Sequence, residues 1–283
     1  MPSKLLGLFI IIVFVLTGCS KGQRSGTNAT SLSNAPVAAT AVTYDDLNGV
    51  VGQKEITQLA ALGVFGTASG HFGPAQPVSR REFVRWLFKA NNSIWASDSN
   101  KFLHPAQSED SAFKDIKQAD PDFQYIQGLQ DSGVAVGFPD KTFKPDQPIT
   151  REQALDVKSA LDRGGVDKLY VISEKQPGPI PNYGYYILPH WGDKQTIAPE
   201  YVGSIATGIQ DDSRDPNDPR RRVDNIPRTF GAIAMLKPKQ PLTRAQAAIM
   251  LWKIGPHSRE VEGENVRSAA DALVSSPSPS TSP

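Results

Sequence analysis

The chain has 283 residues with 30 basic against 29 acidic side chains, a net charge of +1, and a single cysteine. So balanced a charge leaves no basic footprint for nucleic acid, whose recognition rests on neutralising phosphates. A lone cysteine excludes an internal disulfide, and a redox or metal role for it needs partner thiols the chain lacks.

The first predicted element is a targeting segment over residues 1–18. Lys4 supplies the positive end, and residues 5–16 are almost wholly apolar. That run is about a dozen residues, short of the ~20 a spanning helix needs, and reads as a signal-peptide core. It ends Leu16-Thr17-Gly18-Cys19-Ser20, which resembles the bacterial lipobox. The resemblance implies lipidation of Cys19, a membrane anchor, and export to the envelope. With Ser20 rather than Asp after the cysteine, it implies the outer membrane in a cell that has one. Residues 19–42 are Ser, Gly, Thr, Asn and Ala with few large apolar side chains, and are predicted to be a flexible tether.

Three similar stretches follow. Gly73-Pro74-Ala75-Gln76-Pro77-Val78-Ser79-Arg80-Arg81-Glu82, Lys144-Pro145-Asp146-Gln147-Pro148-Ile149-Thr150-Arg151-Glu152-Gln153 and Lys237-Pro238-Lys239-Gln240-Pro241-Leu242-Thr243-Arg244-Ala245-Gln246 share one layout. Each runs Pro-x-x-Pro, an apolar residue, Ser or Thr, Arg, any residue, then Glu or Gln. The Pro-rich part is a turn. Ser79, Thr150 and Thr243 are helix N-caps, and the Glu or Gln three residues on completes a capping box. Ile149 stands where a hydrophobic staple would. Upstream of each turn lies an aromatic, a spacer and an Asp: Tyr44 with Asp46, Phe113 with Asp115, Trp191 with Asp193. An amphipathic helix comes between, closed by Gly63-Val64, Gly133-Val134 and Gly208-Ile209, the Gly standing at C′.

Those residues resemble the S-layer homology domain, in three tandem copies. The predicted organisation is repeat 1 over 43–96, a linker 97–109, repeat 2 over 110–165, a linker 166–187, repeat 3 over 188–255 with an insertion 210–228, and a disordered tail 256–283. The fold class is mainly α: three helix-turn-helix repeats packed as one pseudo-three-fold helical body, with disordered N- and C-terminal segments. Within the second linker, Leu169-Tyr170-Val171-Ile172 reads as a short strand or buried segment before a Pro-rich turn.

The Arg of each repeat has two readings. Arg80, Arg151 and Arg244 fall in the first helical turn, where the helix dipole disfavours a cation, so each needs a partner. One partner is an Asp of the repeat itself, Asp46, Asp115 or Asp193. The other is an external anion, which the free N–H groups of a helix N-terminus and a guanidinium fork suit. The resemblance implies the second: Arg80, Arg151, Arg244, Ser79, Thr150, Thr243, Asp115 and Phe138 would line grooves for anionic cell-wall glycan. Phe72, Phe143 and Trp191 near the turns are expected to be mostly core, and Trp86 and Trp252 to be core.

The Asp-rich loop 211–218 lacks the calcium-loop register and reads as a solvated insertion. The four histidines show no metal-ligand spacing, and no nucleophile, Walker or dinucleotide motif occurs. The expected protein is a non-enzymatic envelope lipoprotein with no cofactor and no metal. Its partners are peptidoglycan or an attached acidic polysaccharide, and a membrane through Cys19; no nucleic acid is expected, and the sequence sets no oligomeric state. Two alternatives stand beside it. One is a scaffold binding a protein partner through degenerate repeats. The other is the targeting module of a wall-active enzyme, against which stands the lack of a stretch long enough for a catalytic domain.

Overall fold

The structure is a computed structural model that describes residues 42–66, 69–96, 98–134, 137–162, 188–212 and 224–254. All of them lie in one unit, Pro36–Pro283. The predicted signal peptide, Cys19, nearly all of the tether, the second linker with its expected strand, most of the Asp-rich loop and the tail fall outside the described residues.

Among the described residues the protein is mainly α-helical: α1 (Gln53–Ala61), α2 (Arg80–Ile94), α3 (Phe123–Asp131), α4 (Arg151–Asp162), α5 (Pro199–Asp212), α6 (Asn225–Phe230) and α7 (Arg244–Leu251). Helices α2, α4 and α7 start where the repeated motif places them. Ser79 and Glu82 form a capping box, and so do Thr243 and Gln246. At α4 the Thr150 amide donates to Gln153 Oε1 at 3.2 Å and the Gln153 amide to Thr150 Oγ1 at 3.4 Å, the same reciprocal pair.

Helices α1 and α3 stop as expected. Gly63 and Gly133 both take φ 71°. The Val64 amide reaches back to Leu59 O and the Val134 amide to Leu129 O, the long bond of a Schellman end. The third unit departs from this: α5 runs through Gly208 to Asp212. There the missing side chain serves packing, since a Cβ on Gly208 would come within 3.2 Å of Ser159 Oγ on α4.

The three turn-and-helix units are joined in a closed cycle. The Arg80 and Arg81 amides at the start of α2 donate to Gln147 O and Pro145 O of the second turn. Arg151 and Glu152 donate to Gln240 O and Pro238 O of the third, and Arg244 and Ala245 return to Gln76 O and Pro74 O of the first. These donors have no intrahelical acceptor, so each turn satisfies the helix of the preceding unit. At the centre the Val78 amide donates to Leu242 O, Leu242 to Ile149 O and Ile149 to Val78 O. Ile149 closes this ring through its backbone, with 1% of its surface exposed.

The upstream helices follow the same cycle: α3 packs on α2, α5 on α4 and α1 on α7. The three joints differ in chemistry. On α2, Arg81 and Arg85 pair with Asp120 at 3.0 Å and Asp122 at 2.8 Å beside α3. On α4, Glu152 accepts from the Ala198 amide at 3.0 Å, and Asp156 accepts from the Ser204 hydroxyl of α5. On α7, Ile249 meets Gly52, where a Cβ would come within 2.9 Å. Helix α6 packs on α7, and its Asn225 Nδ2 bonds Asp162 Oδ2 at 2.7 Å, beside the buried Lys158–Asp162 ion pair of α4.

Shortening Ile149 to Ala opens a cavity in the central ring. The expected cost is about 2–5 kcal/mol, within a single urea transition because the units complete one another. Unfolding the rest of the molecule separately from the second unit would contradict this picture.

Candidate functional site

Each turn is fixed from two sides. Asp46 Oδ1 and Oδ2 accept the Phe72 amide at 2.9 Å and the Gly73 amide at 2.7 Å. Asp115 takes Phe143 at 2.8 Å and Lys144 at 2.7 Å, and Asp193 takes Leu236 at 2.9 Å and Lys237 at 2.6 Å. The second residue of each pair is left-handed: Gly73 at φ 72°, Lys144 at 55°, Lys237 at 54°. That bend aims two successive N–H groups at one carboxylate. The three Asp residues hydrogen-bond the turns of their own units, and none of them hydrogen-bonds a signature arginine.

The arginines hold the other side of the same residues. Arg80 Nε donates to Phe143 O at 2.7 Å, Arg244 Nε to Phe72 O at 2.7 Å, and Arg151 Nη1 to Leu236 O at 2.8 Å. Each therefore spans the joint to the next unit. Two of them also reach the capping box beyond it: Arg80 Nη1 bonds Gln153 at 3.2 Å and Arg244 Nη1 bonds Glu82 at 2.6 Å.

Arg151 breaks the pattern. Its Nη1 takes the carbonyl in place of Nε, and its Nε is buried with no hydrogen-bond partner among the described residues. Beneath the guanidinium lies Phe230 of α6, at 4.6 Å from the ring centre. Arg80 instead stacks over Phe138 at 4.6 Å and Phe143 at 4.7 Å, and Arg244 over Phe72 at 4.9 Å and Trp86 at 4.7 Å.

The S-layer homology domain matches residues 43–84 and 112–155. These two stretches are S-layer homology domains. The chain is similar to a surface layer protein of Brevibacillus choshinensis and to a middle cell wall protein of Brevibacillus brevis strain 47. It is 26% identical to each over 104 residues, which make up 36% of this chain and 9% of either relative. The matched region is thus a small part of those longer proteins.

Within and beside these S-layer homology stretches, the predicted site residues gather unevenly. Arg80, Asp115 and Phe138 meet at the second turn, but Arg80 is only 4% exposed, and burial pulls its guanidinium down to about 10. Ser79 joins Arg244 through Glu82. Burial alone would raise the Glu82 carboxyl, but Arg244 and the Ser79 amide and hydroxyl outweigh it and hold it below its ordinary value. Thr150 and Thr243 spend their side chains on their own helix starts. Arg151 is half-buried, its pKa lowered by desolvation against the opposing charge of Asp193. Phe72, Phe143, Trp191 and Trp86 are core, while Phe138 and Trp252 are half-buried.

Sequence reasoning missed Phe230, an aromatic just past the insertion with no repeat to flag it. It also missed that His71 lies between Asp45, at 3.2 Å from Nδ1, and Asp46, at 3.4 Å from Nε2. Among the described residues these three form the one group whose ligand atoms approach a common point. Asp46 already serves two turn amides there, so the group reads as an addition to the turn lock.

The neighbourhood of Arg80 is acidic toward α5. Burial pushes Tyr201 up to about 12, reinforced by Asp156 and Glu200 and opposed by Arg80. Asp156 is pushed up to about 6, by burial first and then by Glu200 and Glu152, against the Ser204 hydrogen bond. A carboxyl whose folded pKa exceeds its unfolded value of 3.8 stabilises the fold in its protonated form, and that contribution fades as pH rises from about 4 to 6. Asp156→Asn should therefore gain stability relative to the parent as pH climbs through that window, by on the order of 2 kcal/mol. Paired urea titrations at pH 4 and 7 measure it; an equal difference at both values would refute the assignment.

Proposed function

We propose that this chain is a non-catalytic envelope lipoprotein that grips acidic cell-wall glycan, peptidoglycan or an attached polysaccharide. Its body would comprise units at 43–96, 110–165 and 188–255, and Cys19 would carry the lipid that ties it to a membrane. Support at the coarse level comes from the two S-layer homology stretches and from relatives named for the surface layer and the cell wall. The observation that carries the reading is Arg151. It is the signature arginine whose Nε is buried with no acceptor among the described residues, and a guanidinium favours a carboxylate.

Arg244 already holds Glu82, and Arg80 is enclosed. That favours one working groove over three and gives substance to a second reading, in which the remaining faces bind an envelope protein. Pull-down with wall polysaccharide against pull-down with solubilised envelope proteins separates the two.

Arg151→Ala should cut co-sedimentation with purified sacculi about ten-fold or more, the equivalent of one charge-assisted contact, with far-UV circular dichroism unchanged. Retention of full sedimentation would remove Arg151 from the site. Cys19→Ser should abolish labelling by radioactive palmitate and move the protein from the membrane fraction to the soluble one. Continued membrane pelleting of that variant would dismiss the lipid anchor.

A further inference from the structure

Counted from the signature arginine, two positions of each capped helix serve the joint to the neighbouring upstream helix. One place after the arginine stands Arg81, Glu152 or Ala245, and five places after it stands Arg85, Asp156 or Ile249. At the α2–α3 joint the pair is basic and meets acids, Arg81 on Asp120 at 3.0 Å and Arg85 on Asp122 at 2.8 Å. At the α7–α1 joint the pair is apolar, and Ile249 lies against Gly52. At the α4–α5 joint the pair is acidic and meets a further acid.

Glu152 has a cation there, Lys239 of the third turn, and it accepts the Ala198 amide just before α5. Asp156 accepts the Ser204 hydroxyl of α5. The charges acting on Asp156 are Glu200 of α5 and Glu152 of α4, both of its own sign. Tyr201 of α5 faces the same group, with Arg80 of α2 as the opposing charge on the phenol. The helices meet closely, since a Cβ on Gly208 would come within 3.2 Å of Ser159 Oγ. An ionised Asp156 in that joint gives up water and is repelled by two carboxylates. A neutral one keeps the Ser204 hydrogen bond without either cost.

We propose that the α4–α5 joint is a pH-sensitive clasp, shut while Asp156 holds a proton and loosened when the proton leaves, so that α5 opens toward neutral pH while α1 and α3 hold. The α2–α3 joint of opposed charges and the apolar α7–α1 joint do not share this response. The sign follows from Asp156, whose folded pKa of about 6 lies above its ordinary 3.8. Closure gained in acid is then lost as pH rises through that range, a change of about ten-fold in the opening of α5 between pH 5 and 7.5. The opening is local, a partial release within a body that stays folded.

Hydrogen exchange read by mass spectrometry on the full chain tests this, with each rate divided by the intrinsic rate at the same pH. Protection over residues 199–206 should fall about ten-fold from pH 5 to 7.5, while Phe123–Asp131 of α3 stays level. Asp156→Asn should abolish the fall. Glu200→Gln, which removes one like charge, should move the midpoint of the fall to lower pH. Equal falls in α3 and α5 would put the proton's effect in global unfolding and overturn the clasp. A fall that persists in Asp156→Asn, or a midpoint unmoved by Glu200→Gln, would overturn it as well.

Discussion

The structure depends on three backbone hydrogen bonds that no single unit can make, from Val78 to Leu242, from Leu242 to Ile149 and from Ile149 to Val78. Around them each capped helix donates its first amides to the turn of the next unit. This explains the Pro-x-x-Pro spacing in physical terms. Proline has no N–H, so Pro74, Pro145 and Pro238 offer carbonyls to the incoming helix without stranding a donor of their own at a tight joint. Their carbonyls are the acceptors for Ala245, Arg81 and Glu152.

The repeated arginine completes the same joint. It stacks on apolar or aromatic surface and donates to the carbonyl of a residue whose amide is held by an Asp from the other side. A cation in the first turn of a helix is thereby satisfied by geometry that arrives from another part of the chain. The departures from symmetry follow from what surrounds it. Glu82 at the capping box gives Arg244 an internal anion, Gln153 gives Arg80 a neutral partner, and α6 presents Phe230 to Arg151.

Local features were legible in the sequence. The capping boxes at Ser79, Thr150 and Thr243, the glycine stops at Gly63 and Gly133, and the apolar faces of α1 and α3 all rest on residues within a few positions of one another. What rests on distant partners was not legible. Arg80 and Phe143 are 63 residues apart, and Arg244 and Phe72 are 172 apart, so motif spacing identified the arginine and the Asp without saying that both serve the turn residue between them. Gly208 misled because the same residue type that ends a helix also lets two helices approach. The ring that Ile149 closes was not legible because its partners Val78 and Leu242 lie in other units. Phe230 sits in the one stretch where the repeat pattern lapses.

The closed cycle also bears on how the protein comes into being. The first turn's acceptors, Pro74 and Gln76, wait for Ala245 and Arg244, residues made near the end of the described chain. A nascent chain holding only the first two units has two finished joints' worth of sequence but a single joint, with exposed proline carbonyls at one end and bare helix amides at the other. The cycle can therefore close only after the third unit has been made.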